Sequence, residues 1–97
     1  MLTSTDPTWP PFRTSPGIEV ACKPSETTTT FENVYAGATR QQHVRGVASY
    51  LSPADLPEAW RRAKIIHLGP VSQEVSPSFV DCCSGGLLGV TPQGWMR

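Results

Sequence analysis

Arg40, Gln41 and Gln42 stand side by side in the chain. A guanidinium next to two carboxamides forks onto hydroxyls and carboxylates, the chemistry of recognising a polar small molecule. An exposed sheet edge uses the same residues, so both readings stay open. Thr27 to Thr30 add four hydroxyls in a row, and alternate members share one face of a strand. Thr28 and Thr30 therefore form a pair that can turn toward a ligand, although β propensity alone favours such a run. Gln93 and Arg97 follow an apolar segment, where a strand's carboxyl end would present them. His67 lies among Ile65, Ile66 and Leu68, the setting of an interior histidine with its hydrogen bonds satisfied. His43 and the three cysteines have no zinc-ligand spacing, and the adjacent Cys82 and Cys83 do not easily face one ion. They read as helix residues, one buried and one partly exposed.

Composition narrows the function classes. Eight basic and eight acidic side chains give a net charge of zero, which leaves nothing to track a phosphate backbone. The densest basic cluster, Arg61 and Arg62 with Lys64, reads as a solvated helix end rather than a nucleic-acid footprint. No run approaches the roughly 18 apolar residues of a membrane span. The start of the chain, Met1 to Pro10, lacks the basic and apolar segments of a secretory signal. An odd count of three cysteines argues against a disulfide framework. A cytoplasmic protein is the expectation.

The elements that must hold these residues are legible in outline. Residues 1–16 carry four prolines without apolar periodicity and are expected to be a disordered lead-in; Trp9 and Phe12 read as stray aromatics. Ile18 to Cys22 alternates in part, as a half-buried strand does. Thr27 to Tyr35 is rich in β-branched and aromatic residues, Ala36 to Thr39 supplies a glycine turn, and Arg40 to Ala48 returns. Residues 17–50 thus predict an antiparallel sheet of two or three strands with one apolar face.

Ser52, Pro53 and Asp55 then open a short helix, limited by Pro57. Ala63 to Leu68 predicts a buried strand ending at Gly69-Pro70. Ser76 to Cys83 has a helix start in Ser76 and Pro77, Gly85-Gly86 caps it, and Gly86 to Val90 predicts a second strand. Strand, helix and strand make a crossover unit, whose ligands bind outside the carboxyl ends of parallel strands. Residues 51–97 are accordingly expected to be a partial α/β core of a larger enzyme.

Four blocks in this order carry a resemblance: Thr28 to Tyr35, Arg40 to Gln42, Ile66 to Val71, and Gly89 to Trp95 with Arg97. Over Gly17 to Arg97 the chain resembles the middle of a PfkB-type, ribokinase-like carbohydrate kinase. The resemblance implies an α/β fold, with an antiparallel lid sheet followed by a βαβ unit of a Rossmann-like core. It implies a sugar or nucleoside substrate, contacted by Thr28, Thr30, Arg40, Gln42, Gly69 and Gln93, with Gly69 letting the backbone approach closely. ATP and Mg²⁺ are the implied cofactors, for transfer of the γ-phosphoryl group to a substrate hydroxyl.

The family's Gly-x-Gly-Asp motif, which supplies base and anion hole, has no counterpart here. Asp6, Asp55 and Asp81 fall in the lead-in, a helix start and a helix end, and the nucleotide-binding residues are not among these 97. The chain alone is expected to be inactive. The rival reading is a stand-alone lid module that binds or dimerises through its exposed strand edges.

Overall fold

The structure, a computed structural model, describes residues 1–9, 16–82 and 86–97. Its strands are β1 (Leu2–Thr5), β2 (Ala21–Pro24), β3 (Thr30–Ala36), β4 (Thr39–Gly46), β5 (Ile65–Leu68) and β6 (Leu87–Val90). One helical turn, α1 (Phe79–Cys82), lies between β5 and β6, and 3₁₀ turns occupy Pro53–Asp55, Glu58–Arg62 and Pro92–Met96. The strands pair two by two: β1 with β2 in parallel, β3 with β4 antiparallel, and β5 with β6 in parallel. The mixed α/β character and the β5–α1–β6 crossover agree with the sequence.

The first strand does not. Leu2–Thr5 is ordered as β1 where a disordered lead-in was expected, and its reason is non-local. Ala21 N–H and Ser25 N–H donate to the carbonyls of Met1 (2.9 Å) and Thr5 (3.0 Å), so β2 serves β1 rather than extending the hairpin. Phe12 and the rest of residues 10–15 lie outside the described residues, as do Cys83 and Gly85. Pro24 is tolerated in β2 because residues 21, 23 and 25 carry the bonds to β1, and residue 24 points its missing donor away.

The hairpin turns at Gly37 and Ala38, between the paired Ala36 and Thr39. Gly37 has φ +62°, which fits the first position of a II′ turn and matches the strands' twist. Apart from Phe31 and Gly46, its strand residues are exposed on both faces, so the expected apolar face is not covered.

The 3₁₀ turn at Pro53–Asp55 is closed by reciprocal bonds: Asp55 N–H donates to Ser52 C=O, and Ser52 N–H donates to the Asp55 carboxylate, both at 2.9 Å. The core is small. Leu51, Leu68 and Phe79 are buried, with Leu2, Ile66, Val75, Leu88 and Trp95 packed around them. Each fully buried side chain of this size contributes roughly 2 kcal/mol. Leu51 also forms a parallel bridge with Val75: its N–H donates to Glu74 C=O (2.7 Å) and its C=O accepts from Ser76 N–H (2.8 Å). No helix among the described residues is long and apolar enough to cross a membrane.

Candidate functional site

The rim at the carboxyl ends of β5 and β6 is built from two chain segments, 69–75 and 91–97. Pro70 is buried, and Gly94 packs so closely on it that a Cβ there would lie 2.2 Å from the Pro70 carbonyl carbon and oxygen. The Glu74 carboxylate accepts from the N–H of Val71 (2.8 Å) and of Ser72, closing the turn after Gly69. Gln73 occupies the left-handed region at φ +59°, where its N–H donates to Gly94 C=O at 3.2 Å. Trp95 Nε1 donates to Val75 C=O (2.8 Å). These bonds fix the rim against the core and leave Gly69 and Gln93 exposed on it.

Arg97 joins this rim to the hairpin. Its guanidinium donates to Val71 C=O (2.9 Å) and lies over the Phe31 ring, 4.5 Å from the centroid. Strand register relates that contact to the rest of the hairpin. Phe31 is opposite Val44, Asn33 opposite Gln42, and Tyr35 opposite Arg40; alternate residues and their direct cross-strand partners share a face. Arg40 and Gln42 therefore stand on the face that Arg97 touches. Gln42 lies about 7 Å and Arg40 about 14 Å along the strand from Phe31. The opposite face carries Glu32, Val34, Gln41 and His43, with Glu32 paired to Arg45.

The threonines are placed otherwise. Thr28 precedes β3, donates its hydroxyl to the Asp6 carboxylate and accepts from Asp6 N–H at 3.0 Å. The Thr30 hydroxyl donates to Thr28 C=O (2.9 Å). Both hydroxyls thus secure the start of the hairpin. Asp6 is held below the usual carboxylate value, first by Thr28 and then by Thr8. Asp55 is also held low, chiefly by Ser52 N–H, with Lys23 adding to it at 3.1 Å.

His67 departs from the interior setting predicted for it. It is exposed, and its Nε2 is 2.8 Å from Thr91 Oγ1. Two strands give β5 no covering layer on that side. Among the described residues no group of three His, Cys, Asp or Glu side chains is placed to hold a metal ion.

A groove of about 690 Å³ runs between β1 and β5, with Thr28 and Gly69 both in its lining. Thr30, Arg40, Gln42 and Gln93 lie outside that lining. The six predicted contact residues therefore fall into three groups: one pair on the groove, one pair on the hairpin face, and Thr30 and Gln93 flanking.

No protein-family model matches the chain, and neither characterised proteins nor solved structures give a significant match.

Sequence reasoning missed Phe31, Val71, Glu74 and Gly94 as builders of the site. Only Gly94 carried a local signal, a glycine just past a strand.

Proposed function

We propose that this chain supplies the lid and the substrate-side rim of a ribokinase-like carbohydrate kinase, covering a sugar or nucleoside while a catalytic segment transfers phosphate from ATP with Mg²⁺. The reading rests on the four sequence blocks, and one geometric relationship supports it best. Arg97, which bonds the rim at Val71 C=O, meets Phe31 on the hairpin face that also bears Arg40 and Gln42. A lid whose polar face closes on such a rim excludes water and positions hydroxyls. In this reading Arg40 and Gln42 bind substrate, Gly69 admits close approach, and Gln93 contacts it from the rim. The base and the anion hole come from the segment with Gly-x-Gly-Asp, so the chain by itself transfers nothing.

Complementation tests this. The chain is mixed with a separately produced ribokinase-like segment containing Gly-x-Gly-Asp and the nucleotide-binding strands, and ATP-dependent phosphorylation of ribose, fructose and adenosine is measured. Activity that requires both parts supports the proposal; two folded parts without activity count against it.

A second reading is favoured by the hairpin's exposed apolar side chains. Val34, Tyr35 and Val44 are 42%, 70% and 47% exposed. A non-catalytic lid that pairs with a second copy through β3 or β4 would cover them. Sedimentation that shows a dimer lost on Tyr35→Lys favours this reading.

A further inference from the structure

The groove between β1 and β5 is bounded by strand edges rather than sheet faces. Every residue of β1 and every residue of β5 lines it, while β2 and β6 contribute none. The smaller cavity over β1 and β2 is different: it takes the alternate residues Thr3, Thr5, Cys22 and Pro24, which is a face. Consecutive lining on one strand and absence of its partner mean that the groove runs along the unpaired side.

Hydrogen-bond register identifies the groups presented there. Because Met1 and Thr5 carbonyls accept from β2, residues 1, 3 and 5 point their peptide groups at β2. Leu2 and Ser4 point theirs the other way. On β5, the Lys64 and Leu68 carbonyls accept from Leu87 N–H (2.8 Å) and Thr91 N–H (2.9 Å), so Ile65 and His67 point theirs away from β6. None of these four residues has a main-chain hydrogen bond to another described residue. Ser4 is only 7% exposed, a costly place for unpaired peptide groups.

We infer that this groove is an acceptor for one extended β-strand from another polypeptide segment, uncharged and with alternating apolar side chains, hydrogen-bonded on both sides to Leu2, Ser4, Ile65 and His67. Complementarity of charge selects that occupant. Both walls offer alternating N–H and C=O dipoles, which match a main chain in extended form. Glu74 is the one carboxylate in the described lining, and its oxygens are already taken by Val71 and Ser72. The apolar floor of Leu2, Leu51, Ile66 and Phe79 suits small aliphatic side chains. Insertion joins two two-stranded sheets into one of five strands, ordered β2, β1, guest, β5, β6. Four-residue walls set a guest of four or five residues, about 13–17 Å long.

The test is amide hydrogen exchange on the full chain with a synthetic peptide, Val-Thr-Val-Thr-Val flanked by lysines. The expected result is at least tenfold slower exchange at Leu2, Ser4, Ile65 and His67. Thr3 and Ile66, already bonded within their sheets, should change less. A peptide N-methylated at alternate residues removes donors without altering the protein and should abolish the effect. Ile65→Pro deletes an N–H outside the β5–β6 ladder and should weaken binding about tenfold while leaving that ladder paired. No protection, protection at other residues, or equal binding of the methylated peptide overturns the inference. So does a concentration-dependent dimer that protects the same four amides without peptide, since a second copy is then the occupant. No sugar or nucleotide enters this readout, so its failure leaves the kinase proposal standing.

Discussion

The Arg97 guanidinium lies 4.5 Å from the centroid of the Phe31 ring and donates to Val71 C=O at 2.9 Å. One side chain thus holds the base of the β3–β4 hairpin to the rim of the β5–β6 unit. Its cation–π component at an exposed site is worth about 0.5–1 kcal/mol. Arg97→Ala is expected to cost about 1 kcal/mol in chemical denaturation and to lower order parameters along β3 and β4. Arg97→Lys keeps the charge but loses the planar fork, and should recover only part of that ordering.

Gly94 and Gly69 should respond oppositely to alanine. A Cβ on Gly94 meets Pro70 backbone atoms at 2.2 Å, and backbone cannot step aside as a side chain does. A Cβ on Gly69 meets only the His67 ring, at 3.6 Å, an ordinary contact. Gly94→Ala is expected to destabilise by about 3 kcal/mol, whereas Gly69→Ala should leave the melting temperature nearly unchanged. Calorimetry of the two variants decides this, and Gly69→Ala then becomes usable for ligand-binding work.

Acid should weaken the fold through two carboxylates. Asp6 and Asp55 both titrate below their ordinary value in the folded chain, held first by Thr28 and by Ser52 respectively. Folded values below unfolded ones contribute stability above the unfolded value, and it is lost as pH falls through the folded values. The denaturation midpoint is expected to be flat from neutral pH to about 5 and to fall below about pH 4. The double variant Asp6→Asn, Asp55→Asn should start lower at neutral pH and show a shallower decline.

Phe79 is 3% exposed and belongs to a core of three buried residues, with Leu51 and Leu68. Phe79→Ala is expected to cost about 3–5 kcal/mol, much of the roughly 5–15 kcal/mol available to a domain. Loss of near-ultraviolet dichroism at 25 °C would register it.

Local chemistry made several of these elements readable in the sequence. The Ser52-Pro53-Asp55 start, the Gly37 turn and the β5–α1–β6 order each depend on residues a few positions apart. What was not readable depends on distant partners. Leu2–Thr5 is four residues of weak alternation and becomes a strand only because Ala21 and Ser25 donate to it. Thr28 reads as a ligand hydroxyl until Asp6 is seen to take it. The relation of Arg40 and Gln42 to the rim required Phe31 and Arg97 to meet, and neither residue signals the other. Groove edges likewise became visible only when strand register showed which peptide groups lack partners.

Face-specific sugar binding tests the proposed lid most directly. The ¹⁵N-labelled chain is titrated with ribose, fructose and adenosine at millimolar concentrations, following the Arg40, Gln42 and Gln93 side-chain signals and the Gly69 amide. At least one of these compounds is expected to shift those four together and to leave Gln41 and His43, on the opposite hairpin face, unmoved. Shifts confined to Gln41 and His43, or none with any of the three, would contradict the proposed lid.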